Sequence, residues 1–356
     1  MGSNTIGKLF TFTTFGESHG EALGCIVEGF PSNFELDLEK LQKEMDRRRP
    51  GSTSLGTNRN EGDRIEILSG LFEGKTTGAP IMMLVRNTNQ KSKDYSAIKN
   101  VYRPGHADYT FSSKYGIRDY RGGGRSSARE TLARVAAGAL AKQYLEKEGI
   151  HISAAVVGVG DVCASEYIWN PPFKAPLYAP DCKEYPMMVE KIEETRRNGD
   201  SVGALLECRI YGVEAGLGDP VFDKLDALLA RAMFSIGAVK GFEIGSGFSA
   251  AKSMGSVNND QMAICDGKPS FLSNNAGGIL GGISNGMPIT MKIAFKPTPS
   301  ISQSQKTINE ELEDVELTVE GRHDPCVGPR AVAVVEAMAA AVIMDLLLIQ
   351  RAYGEQ

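Results

Sequence analysis

Four histidines occur in the 356 residues, and three of them stand among glycine, arginine and aspartate: His19 in "GESHG", His106 in "YRPGHADYT" and His323 in "GRHDPCVGPR". Histidine can hold or release a proton near neutrality, so two of them in one anionic pocket would suit general acid and base work. The fourth, His151 in "EGIHISA", reads as an ordinary residue at a helix-to-strand join. Arginine keeps the same company. "MDRRRP" at 45–50 is followed by Arg59 and Arg64, and "YGIRDYRGGGRSSARETLAR" carries Arg118, Arg121, Arg125, Arg129 and Arg134. On a chain of net charge -5, such clusters point to a pocket for a small, highly charged anion, because the guanidinium fork pairs bidentately with carboxylate and phosphate.

"GESHG" also fits G-x-S-x-G, the elbow that mounts a hydrolase's nucleophilic serine. That elbow needs a strand before it and a helix after it. Here "EALGCIVEGFP" follows, which reads as a second strand, and only 15 residues precede Gly16. Ser18 is therefore not read as a hydrolase nucleophile. In "RGGGRSSARET", Gly122, Gly123 and Gly124 would let the backbone approach a ligand, and Ser127 with Glu130 forms the S-x-x-E capping box of a helix start able to receive phosphate. "SNNAGGILGGISNG" at 273–286 is neither a P-loop, lacking G-K-[ST], nor a G-x-G-x-x-G dinucleotide fingerprint. Lys296 and the "PTPS" turn could offer a charge and hydroxyls to a phosphate.

The elements that must position these residues follow from periodicity. Apolar runs at 23–29, 65–72, 80–85, 153–159, 203–211 and 289–295 predict strands, and 37–48, 187–198 and 221–234 predict amphipathic helices. Residues 127–147 and 330–351 are Ala-rich and apolar around much of their circumference, which predicts two buried helices. The second approaches membrane-spanning length, but Glu336 and Asp345 make it a core helix. Because strands and helices do not alternate steadily, the expected class is α+β, with helices sandwiched by sheets in one compact unit.

Composition narrows the function classes. The acidic balance argues against a general nucleic-acid binder. Six scattered cysteines without C-x-x-C argue against a zinc site and against a disulfide scaffold. No metal site is expected. Residues 1–15 hold no long apolar run of the kind a signal peptide carries, so a reducing cytoplasm is the expected location.

"GESHGEALGCIVEGFP" (16–31), "GGRSSARETLARVAAGAL" (123–140) and "GRHDPCVGPRAVAVVEAM" (321–338), supported by "RPGHADYT" and "SNNAGGILGGISNG", resemble the chorismate synthase family from the N-terminus to the last helix. The resemblance implies a single domain over 1–356 with a β-α-β sandwich, helices packed between antiparallel sheets, and a homotetramer. It implies reduced FMN as cofactor and a lyase reaction without net redox change: 1,4-elimination of phosphate from 5-enolpyruvylshikimate 3-phosphate to give chorismate, the last step of the shikimate pathway. By the same resemblance His19, His106 and Asp324 are catalytic, and Arg48, Arg49, Arg129 and Arg134 hold the substrate. The flavin contacts carry over to Arg125, Ser126, Ser127, Gly281, Lys296, Pro297, Thr298, Pro299, Ser300 and Arg322. Gly237 and Ala238 belong to that set by position, although many relatives have Asn-Ala there. Ser54 replaces an arginine that relatives are held to use for NADPH, so NADPH enters only as an indirect source of reducing equivalents. A separate flavin reductase is the expected partner, with no nucleic acid and no membrane. Two rival classes are a flavin-dependent oxidoreductase, which would consume reductant stoichiometrically, and a non-enzymatic anion- or RNA-binding module.

Overall fold

A computed structural model describes residues 2–56, 62–87, 99–319 and 323–354. The first half of the chain supplies β1 (Thr5–Ile6), β2 (Thr11–Gly16), β3 (Ala22–Glu28), α1 (Leu38–Arg48), β4 (Glu66–Ile67), the hairpin β5 (Leu71–Phe72) and β6 (Lys75–Thr76), β7 (Ile81–Arg86), α2 (Asp108–Tyr115) and α3 (Thr131–Lys147). Next come β8 (His151–Val159), β9 (Val162–Cys163), α4 (Tyr185–Arg197), β10 (Ala204–Tyr211), α5 (Leu225–Phe234), β11 (Val239–Ile244) and the short α6 (Gly255–Asn258). The chain closes with β12 (Met262–Cys265), β13 (Lys268–Phe271), β14 (Ile279–Leu280), β15 (Ile283–Ser284), β16 (Ile289–Phe295), β17 (Gln305–Ile308), β18 (Asp314–Leu317) and α7 (Gly328–Tyr353).

Two antiparallel five-stranded sheets organise the molecule, in the orders β1-β2-β3-β7-β4 and β11-β16-β10-β8-β9. Mixed helices and antiparallel sheets of this kind bear out the α+β class. α3 lies along α7 and touches β2, β3 and β7 of the first sheet, while α7 touches β8 and β10 of the second. The alanines make this contact possible. Gly138 of α3 lies so close to the backbone of Ala337 that an added methyl would overlap it, and larger side chains would hold the helices apart. α7 could cross a membrane by length and apolarity, yet 83% of its most apolar stretch is buried inside the protein.

Three expectations need correction. The apolar run 65–72 is split into β4 and β5 by a bend at Ser69–Gly70, which returns the chain as a small hairpin. α5 starts at Leu225 rather than 221, because Val221 takes a left-handed φ of 70° and Lys224 an extended ψ of 140°. The capping box at Ser127 and Glu130 does not form. Ser127 accepts from Arg129 N across a short 3-10 turn, while the Glu130 carboxylate turns to Thr14 Oγ1 (2.9 Å) and Arg134 Nε (2.7 Å), and α3 begins at Thr131.

Candidate active site

The turn after β2 carries Ser18 and His19, both buried, with Ser18 Oγ 3.1 Å from His19 Nδ1. Asn87 closes this turn from behind, its Nδ2 donating to Glu17 O and Gly20 O. His106 lies just ahead of α2, where Asp108 Oδ1 stands 3.0 Å from its Nδ1. Gly122 lies against the first imidazole and Gly123 against the second. A Cβ on Gly122 would fall 2.6 Å from His19 Nδ1, and one on Gly123 would fall 2.8 Å from His106 Cε1. The glycine run thus makes room for two catalytic candidates, where the sequence suggested room for a ligand.

Burial moves the His106 pKa below its ordinary value; Asp108 opposes that shift, and Arg103 and Lys296 add to it. Burial would raise Asp108, but hydrogen bonds from Arg103 and His106 prevail and hold its carboxyl well below the usual range. Burial thus favours the neutral form of His106 beside the Asp108 carboxylate.

Arg48 ends α1 and is 1% exposed, with its guanidinium on Asp63, itself fully buried. Asp63 also receives Arg129 Nη1 at 2.9 Å, and Arg129 Nε donates to Asn87 Oδ1 at 2.7 Å. Burial pushes the Arg48 guanidinium down to about 10 against the pull of Asp63, and Arg330 and Arg129 press the same way. Asp63 therefore gathers two cations that would otherwise repel each other. Arg330 of α7 pairs with Asp324 and donates to Arg48 O at 3.2 Å. Arg125 turns back on β2, donating to Gly16 O and Thr14 Oγ1, and Arg134 is held by Glu130 and Ser235.

These groups surround a cavity of about 650 Å³, inside the range of roughly 300–1,000 Å³ usual for small-molecule and cofactor sites. Among the described residues, eight Lys and Arg side chains line it against two carboxylates, Glu130 and Asp324, so it is built for anions. His19, His106 and Asp324 line it, as do Arg48, Arg125, Ser126, Ser127, Arg129 and Arg134. Gly237, Ala238, Lys240, Lys296, Thr298, Pro299 and Ser300 line it as well. Lys296 Nζ donates to Gly105 O, and burial with the neighbouring Lys240 lowers its pKa.

Some expected residues are not brought here. Arg49, Gly281 and Pro297 do not line the cavity. Arg49 follows the last residue of α1 and diverges from Arg48, and Pro297 is exposed. Gly281 sits at the tip of the β14–β15 hairpin, in the loop whose Gly277 and Gly278 serve to pack against Gly245 and Ile289. Arg322 lies outside the described residues. A larger, more open depression of about 1380 Å³ adjoins the cavity across Arg125 and Ser126, but neither His19, His106 nor Asp324 lines it.

Four participants escaped the sequence reading. Arg103 and Asp108 lay inside the quoted "YRPGHADYT", and Arg330 inside "GRHDPCVGPR"; their company was a usable signal. Asp63, in "EGDRIE", carried none.

Comparison with known proteins identifies the family. The family model of chorismate synthase matches residues 10–348. A solved structure described as "Crystal Structure of Chorismate Synthase" is 34% identical, covers 97% of this chain and 93% of its own, and superposes with a TM-score of 0.76. The chain belongs to the chorismate synthase family, lyases of the shikimate pathway that serves aromatic biosynthesis.

Proposed function

We propose that the cationic cavity binds 5-enolpyruvylshikimate 3-phosphate beside reduced FMN and carries out the 1,4-anti-elimination of phosphate that yields chorismate. The observation that carries this reading is the convergence of His19, His106 and Asp324 on one cavity lined by eight Lys and Arg side chains. The substrate bears two carboxylates and a phosphate. Arg48 and Arg129, pre-oriented by Asp63, take part in holding those anions, with Arg134 and Arg330 beside them. Preorganisation matters because no guanidinium then has to be ordered at the moment of reaction. His19 protonates or stabilises the departing phosphate. His106 handles a proton at the cofactor side, and Asp324 receives the C6 proton with its carboxylate oriented by Arg330.

The residues present fit a flavin phosphate and ring. Thr298 Oγ1 is buried in the cavity wall without a hydrogen-bond partner among the described residues, and Arg48 Nε is likewise unsatisfied. Arg125, Ser126, Ser127, Lys296, Thr298, Pro299 and Ser300 would hold the cofactor, with Gly237 and Ala238 against it. A Cβ at Gly237 would meet only open space, so the wall lacks the side chain many relatives have there. Bound reduced FMN supplies electron density to the breaking allylic C–O bond, with no net redox change.

One domain over residues 1–356, with α3 and α7 sandwiched by the two sheets, is supported by the contacts of those helices. Phe248, Met254, Val257, Ile264 and Leu272 stand 68–77% exposed in one short stretch, which supports assembly into a homotetramer. With Ser54 at the place of an arginine, NADPH acts through a separate flavin reductase, and the protein works in the cytoplasm, away from nucleic acid and membrane.

The test is anaerobic: protein, substrate and a small amount of photoreduced FMN, followed by chorismate absorbance and phosphate release. Many turnovers per flavin with the flavin still reduced support the reading. Stoichiometric consumption of reductant, or no chorismate from folded protein, would remove it in favour of an oxidoreductase.

A further inference from the structure

Asp108 does more than border the site. Its carboxylate is 3% exposed and is approached from every side by donors. Oδ2 receives Arg103 Nε at 2.7 Å and Arg103 N at 3.1 Å, and Arg118 Nη1 lies 3.6 Å away. Oδ1 receives Arg103 Nη2 at 2.8 Å and faces His106 Nδ1 at 3.0 Å. Arg103 Nη2 also lies 3.1 Å from His106 Nδ1. These two Nδ1 contacts exclude each other, since Nδ1 either donates to Asp108 or accepts from Arg103. An unprotonated Nδ1 would set its lone pair against the carboxylate oxygen. A protonated Nδ1 satisfies Asp108, and Arg103 keeps its three bonds to the same carboxylate.

The wider frame is rigid. Arg118 Nη2 donates to Lys99 O at 2.6 Å and Val101 O at 3.1 Å, and its guanidinium covers the Tyr102 ring. Val101 bridges Asn309 and Tyr102 N donates to Ile308 O, so the β17–β18 hairpin closes this loop.

We infer that Asp108 is a positioning residue for the reaction: with Arg103 and Arg118 holding it, it fixes His106 in the Nδ1-protonated tautomer and leaves Nε2 as the proton-accepting nitrogen. This rests on the reading of His106 as a proton-handling group. Asp108→Asn is the informative change. Two hydrogen-bond donors at Oδ2, with the Arg118 cation 3.6 Å beyond them, outnumber the single Arg103 Nη2 donor at Oδ1 and favour the amide oxygen at Oδ2, so the amide NH2 takes the Oδ1 place, displaces Arg103 Nη2 and donates to Nδ1. The proton of His106 must then move to Nε2.

The experiment uses the full chain without cofactor, labelled with ring-15N histidine, and long-range 1H–15N spectra at pH 7.5. His106→Gln identifies the His106 signals among the four. Wild type should show Nδ1 protonated, and Asp108→Asn should show Nε2 protonated. In turnover assays Asp108→Asn should lower kcat by at least about 100-fold with KM within about threefold, the pattern of a lost proton-transfer geometry. An Nε2-protonated His106 in the wild type overturns the inference without reference to any variant. An unchanged tautomer in folded Asp108→Asn overturns it too. A switched tautomer with near-normal turnover upholds the positioning and removes instead the proton-handling role of His106.

Discussion

Alanine substitutions along Gly122, Gly123 and Gly124 form a graded series whose outcome follows from geometry. All three glycines have positive φ, of 75°, 91° and 52°, so each alanine pays the left-handed penalty of roughly 1–2 kcal/mol. Their surroundings differ. The Cβ of Gly122→Ala meets His19 Cε1 at 2.3 Å, and ordinary contact begins at 3.4 Å, so the ring must retreat by about 1.1 Å. For Gly123→Ala the corresponding retreat of His106 from 2.8 Å is about 0.6 Å. The Cβ of Gly124→Ala meets Asp119 Cβ at 3.6 Å and needs no retreat. A misplacement near 1 Å costs on the order of 100-fold in rate. Gly122→Ala should therefore lose about 100-fold in turnover, Gly123→Ala roughly tenfold or more, and Gly124→Ala little, while all three lose comparable thermal stability. Anaerobic chorismate formation with photoreduced FMN, read beside thermal unfolding, measures both quantities. The reasoning fails if folded Gly122→Ala turns over within threefold of wild type, or if Gly124→Ala is as damaging as Gly122→Ala.

Three further outcomes are expected. His106→Ala and Asp324→Ala should each lower turnover by at least about 100-fold while far-UV circular dichroism stays native; near-normal turnover in either removes that residue from the mechanism. Glu336, 3% exposed, accepts from Arg47, Lys142 and Ala154 N, and these cations outweigh burial to bring its pKa down to about 2. A depressed carboxylate pKa contributes stability that is full above the unfolded value near 4.5 and lost as pH falls toward 2. Urea unfolding of Glu336→Gln at pH 7 should show a loss of about 3–5 kcal/mol that shrinks on acidification; an unchanged midpoint would rule out the buried network as a stabilising element. Gly237→Asn projects into open space and should tighten binding of oxidised FMN in a fluorescence titration, whereas weaker binding would show that the glycine is required.

Much of the scaffold could be read from the sequence because its causes are local. The apolar runs of β3, β7, β8 and β10, the alternation in β16 and the alanine-rich circumference of α3 and α7 follow from side-chain patterning, which acts over one or two turns of chain. The acid-base candidates and the anionic character of the ligand were also legible, since His19, His106 and the arginines advertise their chemistry by residue type. What the sequence could not specify was partnership. Arg48 and Arg129 share Asp63 across 15 and 66 positions, and Arg47 meets Glu336 across 289. Local rules even misdirected: the S-x-x-E at Ser127 looked like a cap until Thr14, from β2, and Arg134 claimed its carboxylate. Adjacent arginines 48 and 49 differ only in which way the end of α1 turns them, and the glycine run reveals its purpose only once two imidazoles lie against it. Such pairings are settled by how distant segments pack, because a buried charge takes whichever partner the fold brings within hydrogen-bond reach.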